Sequence, residues 1–402
     1  MDKTLWFKQA KFGLFIHWGL YSLLERGEWV MYQERITPEE YAKYAEQFDP
    51  GNFDMDSLCA FAVECGMKYA VFTTCHHEGF AMFDSKADSF NSMNAPCHRD
   101  FVAEFVKSCR KHGLKVGLYY SLGDWRFGIM KESDSAEKAA AMRELTFAQV
   151  RELMTNYGKI DILWYDGGWC FPSTITDTAK DIAAFWHAEE LNAMVRSLQP
   201  DILINNRSGL PEDFSTPEGV SGENSGKCCE ACFTLSKNAN AHWGFFRNEK
   251  MKKTKEDVIE LIIQSITSGY NLLVNVGPDR NGVIPEWQTE LLHQTGAWLK
   301  RYPEVAFNSG YTDAAQDVNS LSGNEFCSIS ENREAIYCLC IDWPANGEMI
   351  LPVMKQEIAK AVLLNSNRKV SCTKRGMGIK LSGLPTTPPD PLCSVIKLIK
   401  KL

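Results

Sequence analysis

The sequence predicts an α/β chain, an irregular (β/α)8-like TIM barrel followed by a small C-terminal antiparallel β-sandwich. Three observations predict it. Strand and helix patterns alternate as far as about Tyr302. Polar residues recur just beyond the C-terminal end of strand after strand. After about Ala306 the texture changes to short β-like runs separated by turn-rich pieces.

The first strand is read at Phe12-Gly13-Leu14-Phe15-Ile16, and Thr37-Pro38-Glu39-Glu40 then opens a helix with a capping box and proline in its first turn. Three segments next repeat one plan, in which an amphipathic helix ends at a glycine, a lysine follows, and an apolar strand comes after. They lead through Gly66 to Tyr69–Thr74, through Gly113 to Val116–Tyr120, and through Gly158 to Ile160–Tyr165. Glycine just past a helix end supplies the left-handed cap, and continuous apolar strands imply burial on both faces. A helix over about Thr178–Ser197 leads to Ile202–Asn205, and one over about Lys255–Thr267 leads past Gly269 to Asn271–Asn275.

The polar residues past the strand ends are His17, His76, His77, Asp124, Trp125, Asp166, Arg207 and Asn275. A doubly wound sheet gathers its function at one switch point, whereas contributions from six strands fit the rim of a barrel. The later runs, Glu325–Ile329, Ala335–Ile341, Val362–Asn365 and Ser394–Leu398, read as the sandwich. The expected units are residues 1–305 and 306–402.

Composition is that of a globular chain, with 45% hydrophobic and 23% charged among 402 residues. The balance of 43 basic against 51 acidic residues, a net charge of −8, argues against nucleic acid or an anionic membrane as partner. No apolar run is long enough to span a bilayer, and the N-terminus lacks a signal-peptide core, so a cytoplasmic chain is expected. The scattered cysteines fit buried reduced thiols. Cys228-Cys229-Glu230-Ala231-Cys232 has no second CxxC and only the distant His242, so no metal is expected. A homo-oligomer is compatible with the sequence.

Trp164-Tyr165-Asp166-Gly167-Gly168-Trp169 is the most informative stretch. An acid at the end of a buried strand, bracketed by aromatics and followed by glycines, suits a carbohydrate site. Sugars lay their C–H faces on rings, and glycines let a ligand approach the backbone. The plain structural alternative is an aspartate that caps a helix. A glycoside hydrolase needs a second acid, and Glu212, Asp213, Glu218, Glu223 and Glu230 all follow the Ile202–Asn205 strand. His76, His77 and His17 read as hydrogen-bond partners of sugar hydroxyls or as satisfied core histidines. No Walker loop, strand-linked GxGxxG, HExxH or GxSxG is present.

Taken together, these residues resemble the α-L-fucosidases of glycoside hydrolase family 29. The matching pieces run in order over about residues 5–300. They are Lys11–Gly19, Glu28-Trp29, Thr73–Phe80, Gly117–Leu122, Trp164–Gly167, Asn205–Arg207, Trp243–Phe245 and Gly269–Pro278, with Gly282–Pro285 closing the set. The resemblance implies a retaining exo-glycosidase on an irregular barrel with a β-sandwich. It would release terminal α-L-fucose from fucosylated oligosaccharides or glycoconjugates and need no cofactor. It makes Asp166 the nucleophile, and matches His17, Glu28, Trp29, His76, His77, Tyr119, Trp164, Arg207 and Trp243 to positions that grip fucose. Glu218 matches one family placement of the acid/base. Glu230 is the runner-up, at a position where Cys229 replaces the usual preceding tryptophan. Two alternatives stay open: a glycosidase for another sugar such as a β-D-galactoside, or an inactive fucose-binding protein.

Overall fold

The computed structural model describes residues 2–51, 53–128, 135–169, 178–218, 228–238, 242–310, 327–351 and 354–401. Seven strands form one wholly parallel sheet: β1 Phe12–Ile16, β2 Tyr69–Cys75, β3 Lys115–Ser121, β4 Ile162–Asp166, β5 Leu203–Ile204, β6 Glu230–Phe233 and β7 Asn271–Val276. Their spatial order is β5-β4-β3-β2-β1-β7-β6. The two ends are joined through the segment from Phe214 to Glu218, by parallel bridges Asn205–Phe214, Ser215–Cys229 and Glu218–Cys232. That segment is a degenerate eighth stave, and it is where the barrel is irregular.

Side chains alternate across each strand, because successive Cβ atoms leave opposite faces. Phe15, Tyr69, Val71, Tyr119, Ile162, Trp164, Leu203, Cys232 and Leu273 fill the interior as one cluster. Leu14, Ile16, Ala70, Phe72, Leu118, Tyr120 and Leu163 pack outward against the helices. The same alternation carries the inward face on to Ser121 after Tyr119, to Asp166 after Trp164, and to Asn275 after Leu273. Polar groups therefore collect at the C-terminal mouth as a consequence of strand period and strand end.

The helices start where their sequences predict. Thr37 and Glu40 form the reciprocal capping box, and Asp54, Asp100, Ser135 and Thr254 each accept from a first-turn N–H. Such a cap stabilises a helix by about 1 kcal/mol. Gly269 ends the Lys255–Ser268 helix at φ +76°, as the left-handed cap requires. The single helix expected over Thr178–Ser197 is two, Ala179–Phe185 and Ala188–Leu198, broken at His187 in the left-handed region. Beside the break Trp186 is buried, and its indole N–H donates to the Gly168 carbonyl at 2.7 Å.

A second sheet comes after the helix Pro303–Asn308 in the chain. It is a seven-stranded antiparallel sheet: β8 Ser328–Glu331, β9 Ala335–Cys340, β10 Glu348–Leu351, β11 Ile358–Leu363, β12 Lys369–Arg375, β13 Gly378–Ser382 and β14 Ser394–Lys400. The order is β10-β13-β12-β11-β14-β9-β8, and it encloses one core from Ile336, Cys338, Leu351, Leu363, Leu381 and Leu398. The run expected from Glu325 begins outside the described residues. Trp298 donates to the Cys393 carbonyl at 2.8 Å and Tyr302 to Asp390 at 3.1 Å, tying this unit to the last barrel helix.

Candidate active site

The barrel mouth holds a cavity of about 310 Å³. Phe15, His17, Trp29, His76, His77, Tyr119, Trp164, Asp166, Trp169, Arg207, Glu218 and Trp243 line it. A larger cavity of about 480 Å³ between Phe53, Phe61 and Ile284 is mainly apolar, and its one acid, Asp54, is a helix cap. Of these two, the smaller is the one on which titratable groups converge.

Asp166 ends β4 and points into this cavity. Burial by itself would raise its pKa. Arg207 outweighs it, helped by the Gly167 N–H, and holds the carboxyl below its ordinary value. Arg207 Nη1 lies 3.1 Å from Asp166 Oδ1, and the Tyr119 hydroxyl donates to Oδ2 at 3.0 Å. Burial and then Asp166 keep the Tyr119 phenol far above its usual range, so it stays a donor. Arg207 also lies over the Trp164 ring at 5.0 Å, and its Nη2 reaches Glu218 Oε1 at 2.6 Å. One guanidinium thus spans the two acids. Glu218 stands on the degenerate stave, and its side chain is 45% exposed, within reach of solvent and of an incoming group.

The three histidines follow β1 and β2. Burial drives His17 well below its usual pKa, and drives His76 and His77 to about 3. All are neutral rings at ordinary pH, each offering one donor and one acceptor. His17 Nδ1 meets Asn275 Oδ1 at 2.7 Å, His76 Nδ1 lies 3.3 Å from Glu78 Oε2, and His77 Nδ1 meets Ser121 Oγ at 2.6 Å. Trp29 and Trp169 stack at 5.6 Å and 21° to form one wall. Trp243 packs on His17 and Phe15, and Phe15 packs in turn on Trp164. Neutral hydrogen-bonding rings, flat apolar walls and one ionised acid are the chemistry of a monosaccharide pocket.

Three expectations are corrected. Glu230, the runner-up acid/base, is a strand residue. It opens β6 fully buried, with its carboxylate accepting from the Tyr69 hydroxyl and, at 2.9 Å, from the Trp164 indole. It lies outside the cavity lining, away from solvent and from Asp166. Its place below the mouth follows from strand alternation, which points it into the barrel at the start of the strand. Glu28 is also outside the lining and only 2% exposed. Its Oε2 accepts from the backbone N–H groups of Trp243 and Gly244, each at 2.8 Å, which ties it to the segment that carries Trp243. Asp124 and Trp125 sit behind the rim, with Asp124 paired to Arg126 at 2.6 Å and Trp125 buried against Trp29.

Of the other acids after β5, Glu212 and Asp213 pair with Arg196, and Glu223 lies outside the described residues. Phe15 and Ser121 were not singled out from the sequence. Ser121 was readable, two residues beyond Tyr119 on the inward face. Among the described residues no group of three or more His, Cys, Asp or Glu is placed to hold a metal ion, Cys228, Cys229 and Cys232 included. Among them, too, no helix is long and apolar enough to cross a membrane.

Comparison with known proteins agrees with this geometry. The family model described as Alpha-L-fucosidase matches residues 2–304. The chain is 27% identical to tissue α-L-fucosidase of Mus musculus over 96% of this chain and 89% of the mouse protein. Among solved structures, α-L-fucosidase isoenzyme 1 from Paenibacillus thiaminolyticus superposes with a TM-score of 0.86 at 30% identity, covering 100% of this chain and 99% of that one. A Bacteroides thetaiotaomicron α-L-fucosidase of glycoside hydrolase family 29, a trapped covalent intermediate in complex with 2-fluoro-fucosyl fluoride, superposes with a TM-score of 0.85 at 25% identity. That match covers 98% of this chain and 95% of the other.

Proposed function

The chain belongs to the α-L-fucosidase family, retaining glycoside hydrolases, and on that premise we propose that Asp166 is its nucleophile and Glu218 its acid/base. Asp166 attacks the anomeric carbon of a terminal α-L-fucosyl unit while Glu218 gives its proton to the departing glycosidic oxygen. The bond to the leaving oxygen breaks as a β-linked ester to Asp166 forms. Glu218, now a carboxylate, takes a proton from water, whose oxygen displaces Asp166 and releases α-L-fucose. The observation that carries the assignment is Arg207, whose two terminal nitrogens meet Asp166 and Glu218. The histidines, Tyr119 and the aromatic walls hold the sugar, and Trp243, braced by Glu28, packs on its apolar side.

The test of the reaction is release of nitrophenol from 4-nitrophenyl α-L-fucoside beside the matching β-D-galactoside, with proton NMR following the first-formed anomer. Turnover of the fucoside with α-L-fucose appearing first supports the reading. Preference for the galactoside, or no turnover together with tight fucose binding, selects one of the alternatives.

Two further results are expected. Arg207→Met leaves burial as the dominant influence on Asp166, so the carboxylate takes up a proton at a higher pH. The acid limb of kcat/KM should move up by about 1–3 pH units. An unmoved limb would mean that Arg207 does not tune this acid. Glu230→Gln should keep kcat/KM within about threefold, whereas loss of an acid/base costs about 10²–10⁴-fold. Glu230→Leu should melt lower, because it orphans two buried donors at about 1–3 kcal/mol each.

A cytoplasmic location is proposed with the reaction. Cys59, Cys65, Cys75, Cys109, Cys232 and Cys393 are buried free thiols, which suits a reducing compartment. The acidic balance supports a partner that is neither nucleic acid nor membrane.

A further inference from the structure

A short relay beside the nucleophile decides which nitrogen of His77 carries hydrogen. Ser121 Oγ lies 2.5 Å from the Gly123 carbonyl oxygen and 2.6 Å from His77 Nδ1. Two oxygens that close repel unless a hydrogen lies between them, so the single hydroxyl hydrogen of Ser121 points at Gly123. Only lone pairs are then left toward the imidazole, and Nδ1 must be the donor. His77 is a neutral ring, so its Nε2 is bare. That atom faces Asp166 Oδ2 at 3.6 Å, two acceptors across one gap.

Gly167 makes room for the relay. It sits at φ +64°, and a Cβ there would lie 2.6 Å from Ser121 Oγ and 3.0 Å from His77 Nδ1. His17 is fixed in the same sense. Asn275 Nδ2 donates to the Trp243 carbonyl at 2.7 Å, so its Oδ1 is the atom that accepts from His17 Nδ1.

We propose that Ser121 is a positioning residue that locks His77 in the Nδ1–H tautomer, so that Nε2 accepts a hydroxyl hydrogen of the sugar beside Asp166. The proposal rests on Asp166 as nucleophile and His77 as a sugar contact. The other tautomer would donate Nε2–H to Asp166, tying up an electron pair on the attacking carboxylate. It would also turn the sugar's donor toward another donor.

The experiment is ¹⁵N–¹H NMR of the wild-type enzyme labelled at histidine, with the His77 signals assigned by their loss in His77→Gln. Hydrogen on Nδ1 and a bare Nε2 are expected. Ser121→Ala should shift His77 toward the Nε2–H form, lower kcat/KM by about tenfold, and move the acid limb of the pH profile downward as Nε2–H donates to Asp166. A merely structural serine would not move that limb. A wild-type His77 protonated at Nε2, or a Ser121→Ala enzyme that keeps the Nδ1–H form, overturns the proposal. The wild-type spectrum decides even if the variant does not fold. It is read without turnover, so lack of fucoside hydrolysis would count against the catalytic reading and not against the tautomer.

Discussion

Replacing Asp166 with alanine should lower kcat on 4-nitrophenyl α-L-fucoside by on the order of 10⁴-fold or more, with fucose binding still measurable. The carboxylate makes the bond that carries the reaction, while sugar affinity comes mostly from the rings and histidines around it. The fold should survive, since Asp166 lies at the cavity surface and its loss opens space toward solvent. Azide is the sharper readout. It can enter the space left by the carboxylate and attack from the same face, so the variant should recover activity and yield β-L-fucosyl azide. Near-normal turnover without azide would remove Asp166 from the mechanism, and an α-configured azide product would place the missing group on the other face.

Glu218→Ala should cost about 10²–10⁴-fold, with a size that depends on the leaving group. A glycan hydroxyl cannot depart without a proton, so natural linkages should suffer most. A dinitrophenolate departs unaided, so its first step should be nearly preserved and the fucosyl-enzyme should accumulate as a burst. The basic limb of the pH profile should disappear with the carboxyl group. Azide would now attack the fucosyl-enzyme from the leaving-group side and give α-L-fucosyl azide. The two variants therefore differ in the configuration of their rescue product, which a general loss of folding could not imitate. Equal losses for activated and unactivated leaving groups would argue that Glu218 shapes the pocket and does not transfer the proton.

Much of this was legible in the residues alone. Strand alternation with period two fixes that Trp164 and Asp166 share a face, and an acid ending a buried strand has to emerge at the mouth. The capping box at Thr37–Glu40 and the Gly269 cap follow from local chemistry, and the structure has both. The ordered motifs from Lys11 to Pro285 specified the family, whose model covers residues 2–304.

Tertiary structure decided what depends on contacts far apart in the chain. Glu218 and Glu230 are both acids after β5, and nothing local separates them. They part because one bridges to Cys232 at the open rim while the other points into the interior between Tyr69 and Trp164. Glu28 is distant in sequence from Trp243, so its grip on that backbone could not be read from either segment. The roles of the histidine nitrogens depend on Ser121 and Asn275, which come from other strands. Sequence alone determined the barrel, the burial of its strands and the placing of Asp166 at a strand end, because period, caps and strand ends are short-range properties. Which acid meets solvent, and which imidazole nitrogen meets the sugar, were left to tertiary structure, because burial and hydrogen-bond partnership exist only once the strands close into a ring.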